Sequence, residues 1–124
     1  MIKLTLSESS SIPLHMQLKQ SILLNILSGK LEKGEKMPSI RNLAKLLKVN
    51  PNTVAKVYYN LEEEGVLDGK VGSGFTIIGN RSKLDKFKAM ILEDEIRGLL
   101  ETAVKLGFSK DHLLSMIGGV IENG

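Results

Sequence analysis

The chain has 124 residues, of which 42% are apolar and 25% charged, and it contains no cysteine. That length holds one compact domain and a small appendage rather than two full domains, and the composition is that of a folded chain rather than a disordered one. Without cysteine there are no disulfides and no thiolate metal sites, and a net charge of +3 is too small to name a partner by itself.

In chain order, Ile2, Leu4 and Leu6 alternate with polar residues, which predicts a short strand or extended arm. Glu8 and the serines after it stand where a secretory signal needs an apolar run, so a cytoplasmic location is expected. Ser9-Ser10-Ser11 leads to Pro13, a residue suited to a first helical turn, and Leu14, Leu18, Ile22 and Ile26 follow at steps of four. Asn25 interrupts this apolar stretch, which is far shorter than the roughly 20 residues that span a bilayer. Gly29 ends the helix, and Lys30 to Lys36 reads as a polar turn.

Two short helices come next. Ser39 is the N-cap of the first, whose apolar set is Ile40, Leu43, Ala44 and Leu47. Asn50-Pro51 opens the second, an N-cap followed by proline at the first helical position, with Val54, Val57, Tyr58 and Leu61 as its buried stripe. Only Lys48-Val49 lies between them, too little for antiparallel packing, so a steep helix-turn-helix crossing is predicted. Gly65 stops the third helix, and Val66 to Val71 and Phe75 to Ile78 read as strands around Gly72-Ser73-Gly74. The fold class is therefore mainly α with a small β-wing, a winged helix-turn-helix domain over residues 1–79.

Residues 80–124 read as a two-helix tail. Ala89, Leu92, Ile96, Leu99, Ala103 and Leu106 recur at alternating steps of three and four, a coiled-coil seam on one long helix. Gly107 ends it, Phe108 can fold back, and Ser109 can cap a last helix with Leu113, Leu114, Ile117, Val120 and Ile121 on its apolar face. Two helices enclose little core by themselves. A second copy supplies the missing burial, so Leu92, Ile96, Leu99, Ala103, Leu106, Leu113, Ile117 and Val120 are the expected dimerisation residues and the homodimer the expected assembly.

Charge distribution indicates the other partner. From Lys36 to Leu61 there are five basic residues, Lys36, Arg41, Lys45, Lys48 and Lys56, and no acidic one. A one-signed stretch in a mixed chain suits a polyanion, although a solvated basic face gives the same pattern. The third helix leaves Asn52, Thr53, Lys56 and Asn60 outward, side chains that can pair with base edges or phosphate in a major groove. Ser39 and Arg41 offer a hydroxyl and a guanidinium at the start of the second helix, and Lys70 with the glycines allows close backbone approach by the wing. Tyr58 falls on the buried stripe, and Tyr59 reads as a helix flank.

Five blocks stand in register over about residues 10–79: Ile12-Pro13-Leu14-His15-Met16-Gln17-Leu18, Gly34-Glu35-Lys36-Met37-Pro38-Ser39-Ile40-Arg41, Val49-Asn50-Pro51-Asn52-Thr53-Val54, Leu61-Glu62-Glu63-Glu64-Gly65 and Gly72-Ser73-Gly74-Phe75-Thr76. Together they resemble the GntR regulators. The Asn-Pro-Asn-Thr-Val block and the short tail resemble the YtrA branch in particular. The resemblance implies contacts to a double-stranded DNA operator from Ser39, Arg41, Asn50, Asn52, Thr53, Lys56, Lys70, Gly72, Ser73 and Gly74. Many relatives carry arginine where this chain has Pro51 and Ala55, so the base preference does not carry over. The resemblance also implies repression of nearby transporter genes.

No residue set converges for catalysis, so no enzyme, cofactor or metal is expected. His15 and His112 each lack a second ligand at helical spacing, and Glu93-Asp94-Glu95 fans around its helix. A small-molecule effector is not identifiable, because only about 45 residues follow the wing. A winged-helix module whose main partner is a protein is the alternative, separated from DNA binding by titration on duplex at two salt concentrations.

Overall fold

The computed structural model describes residues 6–7 and 11–124. Ile2 and Leu4 of the expected arm, and Ser9-Ser10, lie outside them; Leu6 rests half-buried on the core. The described elements are α1 (Leu14–Leu27), α2 (Ile40–Leu47), α3 (Pro51–Glu63), β1 (Leu67–Lys70), β2 (Gly74–Ile77), α4 (Arg81–Lys105) and α5 (Lys110–Asn123). They form two compact units, one running to Phe87 and the other covering Lys88–Gly124.

In the first unit, α1 follows Pro13 and buries Leu18, Ile22 and Leu23. Leu14 and Ile26 of the predicted stripe are half-buried at its edges. Asn25 is the buried polar residue of this helix. Its amide donates to the Ser21 carbonyl at 2.7 Å, and its own carbonyl accepts from the Leu31 N–H at 3.0 Å, so the chain turns back onto the core immediately after α1. Leu31 and Met37 then plug the core from the connecting segment.

Both short helices start on the caps their sequences announce. Ser39 Oγ accepts from the Asn42 N–H at 3.0 Å, and Asn50 Oδ1 accepts from the Asn52 N–H at 2.8 Å, each satisfying a donor that the helix geometry leaves without a partner. The tight turn between them is made by Lys48, which sits in the left-handed region at φ 56° and ψ 45°. A side chain there crowds the following carbonyl, at a cost of about 1–2 kcal/mol that glycine avoids. Lys48→Gly is therefore expected to raise unfolding stability by about 0.5–1 kcal/mol after the extra chain entropy of glycine is subtracted. Urea denaturation checks this, and Lys48→Ala should show no such gain.

The buried side of α3 is the one read from the sequence: Val54, Val57, Tyr58 and Leu61. They meet Leu18 and Ile22 of α1, Leu43 and Ala44 of α2, and Leu67 and Ile77 of the sheet in one cluster. β1 and β2 pair antiparallel, with Leu67 opposite Ile77 and Lys70 opposite Gly74. β1 is shorter than predicted and β2 is shifted by one residue, so Val66, Val71 and Ile78 fall just outside the strands. The segment read as a polar turn ends differently from expectation. Gly34 N–H donates to Ile77 O (2.7 Å), Ile77 N–H to Glu35 O (2.9 Å) and Met37 N–H to Phe75 O (2.8 Å), so residues 34–37 line the other edge of β2. Met37 holds them there by burial; the stretch is too short to show a period-two pattern.

The start of α4 belongs to the first unit. Leu84 is buried in the core and Phe87 packs against it, eight residues beyond Gly79. In the second unit, α4 ends at Lys105, one residue before Leu106, with Gly107 at φ 83° and the Phe108 N–H donating to Ala103 O at 2.9 Å. Ser109 Oγ caps α5 by accepting from the His112 N–H at 3.1 Å. Ala103 is buried within the chain itself, whereas Leu92, Ile96, Leu99, Leu106, Leu114, Val120 and Ile121 are exposed. Leu113 and Ile117 are half-buried.

Candidate nucleic-acid interface

The contact residues expected from the sequence fall on three elements of the first unit: the start of α2, the N-terminal half of α3, and the hairpin. Ser39, Arg41, Asn50, Asn52, Lys56, Lys70, Gly72, Ser73 and Gly74 are all exposed, and Thr53 is half-buried. Among the described residues, Lys36, Arg41, Lys45, Lys48, Lys56 and Lys70 make no ion pair, so their charge is uncompensated by contact. Lys19 behaves differently: its Nζ pairs with Glu64 Oε1 at 2.7 Å and lies 4.7 Å from the centre of the Phe87 ring.

Two of the sequence-chosen residues have structural duties as well. The Ser39 hydroxyl oxygen and the Asn50 carbonyl oxygen are occupied as caps, which leaves the Ser39 O–H and the Asn50 amide to donate outward. Arg41 stands in the first turn of α2, where the unpaired N–H groups of the helix start also favour an anion. On α3, Asn52, Thr53 and Lys56 occupy the N-terminal half, the end that contacts base edges when such a helix enters a groove.

Buried contacts fix how these elements stand to one another. Tyr58 is fully buried; its hydroxyl donates to the Pro38 carbonyl at 2.7 Å and so anchors the residue before the α2 cap to α3. Burial pushes the Tyr58 phenol above its ordinary range, so it remains a neutral donor. The wing is clamped by contacts that the sequence reading did not single out. Glu62 Oε2 accepts from the Gly69 N–H at 2.9 Å, tying the last turn of α3 to β1. A Cβ at Gly69 would stand 2.5 Å from that same oxygen and 2.8 Å from the Phe75 ring, so only glycine allows this approach. Phe75 in turn meets Tyr58 edge-on at 5.0 Å and Tyr59 at 5.7 Å. The signal for the clamp was present as an acidic residue in the last helical turn with a glycine seven positions on; without the fold, it reads as solvated charge.

The hairpin tip carries Gly72 at φ 81° and Gly74 at φ 75°, conformations that favour glycine and leave the backbone bare for close approach. Elsewhere, two residues of the acidic run expected to fan around its helix instead meet on one side chain: Glu93 and Asp94 both pair with Arg97, at 3.8 and 2.9 Å. His112 stands edge-on to Phe108 at 5.1 Å. Among the described residues, no helix is long and apolar enough to cross a membrane.

Comparison with known proteins agrees with this geometry. Residues 14–77 match the family model described as bacterial regulatory proteins, gntR family. The chain is 33% identical over 105 residues to the HTH-type transcriptional repressor YtrA of Bacillus subtilis, covering 84% of this chain and 81% of that one. Its structure resembles a GntR family transcriptional regulator from Listeria monocytogenes with a TM-score of 0.71 and 26% identity, over 90% of this chain and 97% of that one. It also resembles AraR(DBD) in complex with operator ORE1, with a TM-score of 0.52 and 25% identity over 60% and 92% of the two chains. A capped helix-turn-helix, a glycine-tipped wing locked to the recognition helix, and a family match spanning both place this chain in the GntR family, as a YtrA-like transcription regulator with a winged-helix DNA-binding domain.

Proposed function

We propose that the protein is a cytoplasmic repressor that binds a dyad-symmetric DNA operator as a homodimer. The observation that carries this reading is the set of outward polar residues on three elements of one unit: Asn52, Thr53 and Lys56 on α3, Arg41 on α2 and the Lys70–Gly74 tip, with no ion pair among the described residues to neutralise Arg41, Lys56 or Lys70. Residues up to the wing bind DNA, and the helical tail beyond them pairs two chains. Repression is carried over from YtrA, whose name states it, and operator binding from AraR(DBD). Two recognition helices roughly 34 Å apart, or a multiple of that, then meet successive major-groove faces.

On this reading, the set divides into positioning and sequence-reading residues. Arg41, at a helix start, meets a phosphate, which carries no sequence information. Arg41→Ala should weaken binding to every duplex by a similar factor and lower the salt dependence by about one counterion. Asn52→Ala and Thr53→Ala should instead shift preference at particular base pairs by about 1–3 kcal/mol. Gel-shift titration over a library of operator variants at two salt concentrations separates the two. A change confined to sequence preference in Arg41→Ala, or affinity indifferent to salt in the wild type, overturns the assignment.

A further inference from the structure

Tyr59, a helix flank by its place in the sequence, is an exposed aromatic residue on α3, the helix that carries Asn52, Thr53 and Lys56. It follows Asn52 by seven residues and Lys56 by three on α3, so its side chain leaves the helix about 20° from that of Asn52 and about 60° from that of Lys56. Its side chain is 54% exposed, yet its ring is not loose: one edge rests on Phe75, with centroids 5.7 Å apart and planes at 71°. Phe75 belongs to β2, one residue after Gly74 of the wing tip, and its own ring is held by Tyr58. The Tyr59 hydroxyl has no hydrogen-bond partner among the described residues. The molecule therefore fixes the ring of a rigid donor while leaving its polar end to solvent.

Distance along the helix says what that end meets. Seven residues at about 1.5 Å each carry Tyr59 roughly 10 Å from Asn52 along the α3 axis. The major groove is about 12 Å wide. When Asn52 is at the base edges, Tyr59 is at the groove's rim, where the sugar-phosphate backbone runs, and on the side from which the wing departs. Building on the DNA-binding reading above, we infer that the Tyr59 hydroxyl donates a hydrogen bond to a backbone phosphate at the corner between recognition helix and wing. It is a positioning contact: it fixes the depth and angle of α3 and takes no part in reading bases. The ring is already ordered against Phe75, so little side-chain freedom is lost when the bond forms.

The experiment uses the full chain and a mixed-sequence duplex, comparing wild type, Tyr59→Phe and Tyr59→Ala by fluorescence anisotropy across a salt series. Tyr59→Phe keeps the ring and its contact with Phe75, so its thermal unfolding should match the wild type. Its affinity should fall about tenfold, the scale of one hydrogen bond to a charged group. Because a neutral hydroxyl displaces no counterion, the loss should be the same factor at every salt concentration, unlike the loss from a lysine or arginine. Tyr59→Phe binding as tightly as the wild type overturns the inference, even if Tyr59→Ala binds poorly, because the ring is then only a prop for the wing. A wild type that binds no duplex overturns the DNA-binding reading, and this inference with it; the wild-type titration shows that failure separately.

Discussion

Glutamate at Ile96 and Leu99 in the intact chain is expected to yield a folded monomer whose operator affinity is lower by about 100-fold or more. In the single chain, Ile96 is 55% exposed and Leu99 45%, and they continue the seam that starts at Ala89. Apolar side chains that regular along one helix, left in water, lose burial worth about 25 cal/mol for each Å² of surface a partner could cover. Carboxylates in the same places would have to shed their hydration inside the dimer contact, which opposes pairing. Nothing in the first unit is touched, so its fold and its single-site contacts should persist. On the homodimer reading proposed above, what disappears is the linkage that makes the second half-site an intramolecular event. Analytical ultracentrifugation beside a gel-shift titration on the full operator tests this. A dimer that survives both glutamates, or a monomer that binds the full operator as tightly as the wild type, removes the tail from this role. A chain ending at Phe87 is the companion test. Ending it at Gly79 would delete Leu84 from the core and destabilise the domain whose binding is being measured.

Tyr58→Ala is expected to destabilise the protein by about 3–5 kcal/mol, a large part of the stability of a domain this size. The change empties the centre of the cluster between α1, α2, α3 and the sheet, and it leaves the Pro38 carbonyl without its 2.7 Å donor. Tyr58→Phe keeps the volume and isolates the hydrogen bond, at about 1–3 kcal/mol for a carbonyl left without its partner. It also carries a pH signature. The folded state holds the Tyr58 proton more tightly than the unfolded chain does, because burial opposes the phenolate. The stability this represents is present in full below the unfolded value of about 10 and is lost as pH rises above it. Denaturant titrations from neutral pH to about 11 should therefore show the wild type losing more stability than Tyr58→Phe. Equal slopes would mean that the phenol is not shielded as the fold implies.

Helical faces and caps were legible because each rests on local chemistry. Ser39 and Asn50 cap where a short side chain can reach a nearby backbone N–H, and Val54, Val57, Tyr58 and Leu61 share a face because the helix period puts them there. The parts that were not legible depend on distant partners. Nothing in residues 34–37 announces that they will border β2, since their hydrogen bonds go to residues some forty positions away. In the sequence Glu62 and Glu64 are two members of one acidic run at a helix end, with nothing to tell them apart. The fold sends one to the Gly69 N–H and the other to Lys19. Tyr59 was undervalued for a related reason. Its alignment with Asn52 and Lys56 was already in the spacing, but its stiffness comes from Phe75, sixteen residues further on. The candidate site was thus legible as a set of residue types, and its rigidity was not.

The left-handed lysine in the helix-turn-helix sets two kinds of selection against each other. Glycine at position 48 would relax the backbone, so adaptation to a hotter habitat favours losing the lysine. The same exchange takes an unpaired cation from the acid-free stretch, so pressure for tighter operator occupancy favours keeping it. A lineage moving toward heat is therefore expected to pass through glycine at this codon and to restore the missing charge at a helical neighbour such as Leu46, where a lysine carries no backbone strain.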